Sequence, residues 1–234
     1  VGTVECGFDS TPYYLARYAT NDAADFSVVI SKEDLERERQ FRDAEALEEG
    51  MKLRKVTEPF LERLAIQRKF AEELMNRKIL MVHGSAVAVD GVGYIFTAAC
   101  GTGKSPHTRL GREVFGSRAV MINDDKPFIR LDGAAVTVCG APWSGKHGLH
   151  TNVAVPLKGI CILTRGSENR IWPIKPEAAM EMLRSQAVRP MCPARQPLCD
   201  ALVARLEEKV PLWQMECTKD PQAAWVSWEA MSSQ

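Results

Sequence analysis

The chain has 234 residues, 45% of them hydrophobic, with 30 Lys plus Arg against 30 Asp plus Glu, which is enough apolar mass for one large domain and no net charge. That balance excludes a global basic footprint for nucleic acid or an anionic membrane, so any recognition of anions has to be local. No run approaches the roughly 20 apolar residues that span a bilayer, and the segment from Val1 to Ser10 lacks the basic-then-apolar pattern of a secretory signal, so the expected compartment is the cytoplasm.

In chain order, strands are predicted around Val4 and over Phe26 to Ile30. Ser31, followed by Glu33, Asp34 and Glu36, reads as an N-cap with an acidic first turn. The charged helix it opens runs toward Glu49, ends at Gly50, and is expected to present a solvated face. From Glu58 to Met75 the apolar residues, among them Phe60, Leu61, Leu64 and Ala65, recur at helical spacing and call for a second helix with one buried side.

The pattern then becomes β-like. Ile79 to Val82 reads as one strand, and Ser85 to Val89 and Gly93 to Thr97 flank Asp90-Gly91, a hairpin signal because the turn needs positive φ. A helix is expected from Pro106 to Phe115 and a strand from Ala119 to Ile122. A second hairpin is expected at Asp132-Gly133, between Pro127 to Leu131 and Ala135 to Cys139. Beyond it come strands over Leu157 to Leu163 and Arg170 to Ile174, helices over Pro176 to Gln186 and Pro197 to Lys209, a strand over Leu212 to Cys217, and a helix from Pro221. Hairpins around a single strand-loop-helix-strand unit imply an α/β fold with a mixed β-sheet. The organisation expected is a single domain in which residues 1–78 pack on a core of 79–165, completed by 166–234.

The most specific chemical signal lies between the Gly93 to Thr97 strand and the following helix. In Gly101-Thr102-Gly103-Lys104-Ser105 the glycines let backbone N–H groups converge on phosphate oxygens, Lys104 is suited to the β- and γ-phosphates of ATP, and the Ser105 hydroxyl to Mg²⁺. Ala98 stands where the full phosphate-loop pattern has its first glycine, and Pro106 removes one backbone donor. The seven cysteines are scattered with no Cys-x-x-Cys pair, which speaks for reduced thiols; Cys100 falls within the loop itself.

Asp124 and Asp125 close the next strand, about one β-α-β step after Lys104, and adjacent carboxylates there point to opposite sides. One is suited to a metal and the other to taking a proton from an attacking hydroxyl; Asn123-Asp124-Asp125 is equally ordinary turn chemistry. His83 beside Gly84 reads as structural or catalytic. Lys146, His147, His150 and Asn152 occupy a polar connection that starts at Trp143, where Lys146 could stabilise a transferred phosphoryl group or simply be solvated. Arg189 is a further candidate for binding the same anion.

Taken in order, His83-Gly84-Ser85-Ala86-Val87, the hairpin, Gly101 to Ser105, and Asp124-Asp125 resemble the HPr kinase/phosphorylase family, including its lasso-peptide serine kinases, over Met81 to Leu163. The resemblance implies the C-terminal phosphate-loop kinase core of those enzymes, related to phosphoenolpyruvate carboxykinases, and the use of ATP and Mg²⁺ to phosphorylate a hydroxyl, typically serine. It implies that His83 and Asp124 lie at the transfer site with Asp124 as general base, and that Ser105 and Asp125 lie near the metal. The metal-side Glu of the bacterial enzymes has no counterpart in Val136 to Gly140. The acceptor expected is a hydroxyl-bearing peptide, protein or small molecule, with neither nucleic acid nor membrane as partner and oligomerisation left open. Two rivals stay open: a carboxykinase-like lyase acting on a keto acid, and a nucleotide-binding module without catalysis.

Overall fold

Ser31 opens the first long helix through a reciprocal cap. Its Oγ accepts the Asp34 N–H at 3.2 Å, and the Asp34 carboxylate accepts the Ser31 N–H at 2.8 Å, so two donors at the helix start satisfy each other's residues. The structure is a computed structural model and describes residues 2–8, 13, 15–48, 50–99 and 102–233. It divides into two compact units, Val1–Glu73 and Leu74–Gln234.

In the first unit β1 (Gly2–Glu5) pairs in parallel with β2 (Phe26–Val29), and α1 (Lys32–Glu48) is followed by α2 (Glu58–Met75), whose last residues enter the second unit. The charge run on α1 departs from the expected solvated face, because Asp34 and Glu38 are buried. Their partners come from α2: Arg68 Nε donates to Glu38 Oε2 at 2.8 Å, and Lys69 pairs with Asp34. Burying a carboxylate requires such a partner. For Asp34, burial alone would raise the pKa, but the bonds from Lys69, Ser31 and Arg37 outweigh it and hold the carboxyl far below its usual range. Phe60, assigned to the buried stripe of α2 by its spacing, is exposed instead, while Leu61, Ala65 and Ile66 are fully buried.

The second unit begins with β3 (Ile79–Met81). The hairpin β4 (Ser85–Val89) and β5 (Val92–Thr97) follows, with Val89 opposite Val92 and positive φ at both Asp90 and Gly91, the two-residue turn that dipeptide favours. The helix α3 (Lys104–Phe115) starts two residues before its predicted boundary, and β6 (Ala119–Asn123) comes after it. The strands β7 (Phe128–Arg130) and β8 (Thr137–Cys139) pair antiparallel as expected, but not through a tight Asp132-Gly133 turn. Neither residue has the positive φ such a turn demands, and the connection spreads over residues 131–136. The rest of the chain is β9 (Ala154–Arg165), β10 (Arg170–Pro173), α4 (Pro176–Gln186), α5 (Gln196–Lys209), β11 (Leu212–Cys217) and α6 (Gln222–Ser232).

These strands form one mixed sheet of nine, in the order β3-β7-β8-β9-β5-β4-β6, with β10 and β11 joined to it through β9. Strands β5, β9 and β11 run parallel, whereas β4 is antiparallel to both of its neighbours. Alternation along the strands separates two cores. On one face Ala86, Ile95, Ile160 and Ile162 pack with Leu183 of α4 and Leu202 and Leu206 of α5. On the other, Val87, Phe96, Cys161 and Leu163 pack with Leu110 and Phe115 of α3 and with Met231 of α6. The result is a layer of helices on each side of a mixed sheet, which makes the unit an α/β fold. Because β5 and β9 point the same way, their C-terminal ends deliver the loop after Thr97 and the residues around Arg165 to one edge of the sheet. Among the described residues no helix is long and apolar enough to cross a membrane.

Candidate functional site

The loop after β5 leads into α3 through Gly103, at φ 135°, a conformation open to glycine and strained for any residue with a Cβ. As a glycine, Gly103 offers the start of the helix no side-chain cap, and the His107 N–H donates to its carbonyl at 3.0 Å. Cys100 and Gly101 lie outside the described residues. Around them Thr102 N donates to Ala99 O at 3.2 Å, and Lys104 Nζ donates to Ala98 O at 3.0 Å, folding the lysine back across the loop. Arg165, at the end of β9, donates from Nε to Thr102 O at 3.3 Å and ties the loop to the neighbouring parallel strand.

The end of β6 is organised by Asn123, which is fully buried. Its Oδ1 accepts the N–H groups of Asp125 at 2.8 Å and Lys126 at 2.6 Å, while its Nδ2 donates to Ala141 O at 2.9 Å and Trp143 O at 3.1 Å. The Asn-Asp-Asp turn is therefore real, and it sets the direction of both carboxylates. Sequence reasoning treated Asn123 only as part of an Asn-Asp-Asp turn; its second task, clamping the 141–143 segment, depends on contacts 18 and 20 residues away that no local pattern reveals.

The two aspartates diverge. Asp124 is buried, and its Oδ1 accepts the Gly145 N–H at 2.6 Å; among the described residues no protein donor bonds its Oδ2. Asp125 is half-buried, with Oδ1 3.1 Å from His83 Nε2. Burial pushes the Asp125 carboxyl up, but the His83 hydrogen bond and the charges of Lys126, His83 and Lys104 outweigh that, leaving its pKa below the usual value. His83 is fixed through its backbone: its N–H donates to Gln186 O at 2.6 Å, its carbonyl accepts Thr97 Oγ1 at 2.9 Å, and the following Gly84 N–H donates to Asp125 O at 2.8 Å.

Asp124 opens into a cleft of about 360 Å³ whose wall also contains Ser105, Arg109, Arg112, Lys146 and His147. Two predicted groups, the loop residue Ser105 and the polar connection bearing Lys146 and His147, therefore meet at Asp124. Arg109 and Arg112 were not foreseen. The signal was present in the spacing, since Ser105, Arg109 and Arg112 are four and three residues apart and fall on one face of α3. Arg189 does not join them, lining a separate opening with Glu177, Glu181 and Arg184. His150 pairs by backbone with Asn123, and neither it nor Asn152 lines the cleft. Ala99, Thr102, Ile162, Thr164, Arg165 and Met182 border a second opening of about 450 Å³.

No protein-family model and no curated protein matches the chain. What the site can do has to be read from its own groups. Among the described residues no cluster of three or more His, Cys, Asp or Glu forms a metal cage. A serine hydroxyl and two carboxylates are nevertheless hard oxygen donors of the kind Mg²⁺ uses, since that ion takes one or two carboxylates and completes its shell with phosphate and water.

Proposed function

We propose that the protein is an ATP- and Mg²⁺-dependent kinase that transfers a phosphoryl group to a hydroxyl of a peptide, protein or small molecule, on a core like that of the HPr kinase family. The observation that carries this reading is the meeting of the glycine-bearing loop with the carboxylate pair: Ser105, directly after that loop, shares a cleft with Asp124. Phosphoryl transfer needs little else from a protein than an anion cradle, a positioned carboxylate and cations around the transferred group.

Bound ATP with Mg²⁺ supplies the phosphoryl group and neutralises part of its charge. The loop amides and Lys104 would hold the β- and γ-phosphates, and Ser105 and Asp125 would hold the metal ion. Asp124 Oδ2 takes the proton of the acceptor hydroxyl as its oxygen bonds to phosphorus and the bond to the β-phosphate oxygen breaks. Gly145 N–H holds the other carboxylate oxygen and so fixes the direction of the base. His83 keeps Asp125 ionised and oriented. Lys146, exposed on the cleft wall, offsets charge on the moving phosphoryl group.

Nucleotide titration and transfer of labelled γ-phosphate test the assignment together. Lys104→Ala is expected to abolish transfer and weaken ATP binding at least tenfold, whereas Asp124→Asn is expected to abolish transfer with ATP affinity retained. Full activity in Asp124→Asn would remove the base, and unchanged ATP binding in Lys104→Ala would remove the phosphate loop. Transfer to a keto acid draws some support from Arg109 and Arg112, the cations a carboxylate substrate needs; release of CO₂ in the same assay separates that reaction from hydroxyl phosphorylation.

A further inference from the structure

We infer that the acceptor carries an anionic group, a carboxylate or a phosphate, close to the hydroxyl that receives the phosphoryl group, and that Arg112 and Lys146 hold that anion at the mouth of the Asp124 cleft. This rests on the kinase reading and extends it to the substrate class. The chain as a whole is neutral, yet this cleft gathers Arg109, Arg112, Lys146 and His147 around a single carboxylate, Asp124. Arg109 has a partner, since its Nε lies 3.5 Å from Glu113 Oε1 on the same helix. Arg112 and Lys146 have no ion-pair partner among the described residues, and Arg112 is half-buried, where a guanidinium loses part of its hydration and gains most from a bound anion.

The nucleotide does not account for the two arginines, and the phosphoryl group that leaves it meets Lys146 only on the acceptor side. Lys104 and the loop amides already serve its β- and γ-phosphates, and the second opening, on the Arg165 side of the loop, offers Ile162 and Met182 as apolar surface for a base. Thr102 lines that opening and Ser105 the Asp124 cleft, and the two openings share no lining residue. Arg109 and Arg112 lie on the α3 face that borders the acceptor entrance. A neutral hydroxyl approaching Asp124 would be drawn toward a carboxylate without compensation for the surplus positive field. An acceptor bearing its own anion satisfies that field, and its hydroxyl is thereby delivered to Asp124 Oδ2.

Two measurements separate this inference from the reading beneath it. In fluorescence polarisation without nucleotide, a labelled peptide with serine between two aspartates is expected to bind at least tenfold more tightly than the same peptide with asparagines. Arg112→Gln and Lys146→Gln should each erase most of that difference, while Arg112→Gln leaves ATP affinity unchanged. Competition by glycerate, a small hydroxy acid, against the acidic peptide distinguishes a small-molecule from a peptide source of the anion. Equal affinity for acidic and neutral peptides overturns the inference even if ATP binds in a Lys104-dependent way. Loss of ATP affinity in Arg112→Gln as large as in Lys104→Ala also overturns it, by assigning the arginine to the nucleotide.

Discussion

His107, two residues beyond Ser105, shows how a single side chain can couple the site helix to the pH. It is buried between the Phe96 ring, whose centroid is 4.4 Å away, and Ser227 of α6, whose Oγ lies 3.0 Å from Nε2. The Ser227 hydroxyl also lies 3.1 Å from Ala224 O, an acceptor for its proton that favours the tautomer with the imidazole proton on Nε2. Among the described residues Nδ1 has no partner and it is sealed from solvent, and burial lowers the pKa of the ring to about 4. In the unfolded chain the ring protonates near its ordinary value, so between that value and about 4 the unfolded state binds the extra proton. Stability is therefore full above the ordinary value and falls as the pH drops below it. At about 1.4 kcal/mol per pH unit, the difference between pH 7 and pH 5 is on the order of 2 kcal/mol. Urea unfolding at the two pH values should show that loss in the wild type and a correspondingly flatter profile in His107→Leu. Parallel profiles would mean that the ring reaches solvent.

At the scale of elements, the turn into α3 is the most demanding piece of backbone at the site. Gly103→Ala places a Cβ at φ 135° with no atom of the described residues within 4 Å, so the cost they impose is backbone strain and not a clash. The expected outcome is a fall in ATP affinity of at least tenfold with a destabilisation of only about 1 to 2 kcal/mol, read from calorimetric titration and thermal unfolding of the same sample. Retained affinity would show that the loop does not need this conformation to bind phosphate. The elements themselves were legible wherever a local rule decides. Asp90-Gly91 forces positive φ, and Pro176 marks the start of α4. Prediction failed where the deciding partner is remote. Asp34 and Glu38 look solvated until Arg68 and Lys69 on another helix are seen to cover them, and β9 extends back through Pro156 only because β8 pairs with its first three residues. The site was legible as two motifs, the loop and the aspartate pair. The carbonyl clamp of Asn123 and the arginines of α3 become meaningful only once β6 and α3 are set side by side.

For the whole molecule, every residue assigned to the site belongs to the unit Leu74–Gln234, and none to Val1–Glu73. A ligand that binds only the folded form stabilises the unit that holds it, by about 2.7 kcal/mol at a hundredfold excess over its dissociation constant. Calorimetric unfolding of the full chain with saturating ATP and Mg²⁺ is thus expected to raise the transition of residues 74–234, followed by hydrogen exchange of β5 and β9, by several degrees. Amides of α1 in the first unit should keep their exchange rates. Equal protection of both units by ATP would place a nucleotide contact in the first unit.

The twelve residues of β9 touch almost everything that matters in that unit. They bond β8 at one end, β5 along the middle and β11 toward the other end, and their alternate side chains serve opposite cores. A slip of one position would drive Ile160 and Ile162 out of one hydrophobic layer and Cys161 and Leu163 out of the other at once, with Arg165 dragged off the loop it anchors. The strand acts as a keystone whose misplacement would cost both helix layers and the phosphate loop together, so partial unfolding that spares the site has no route through it.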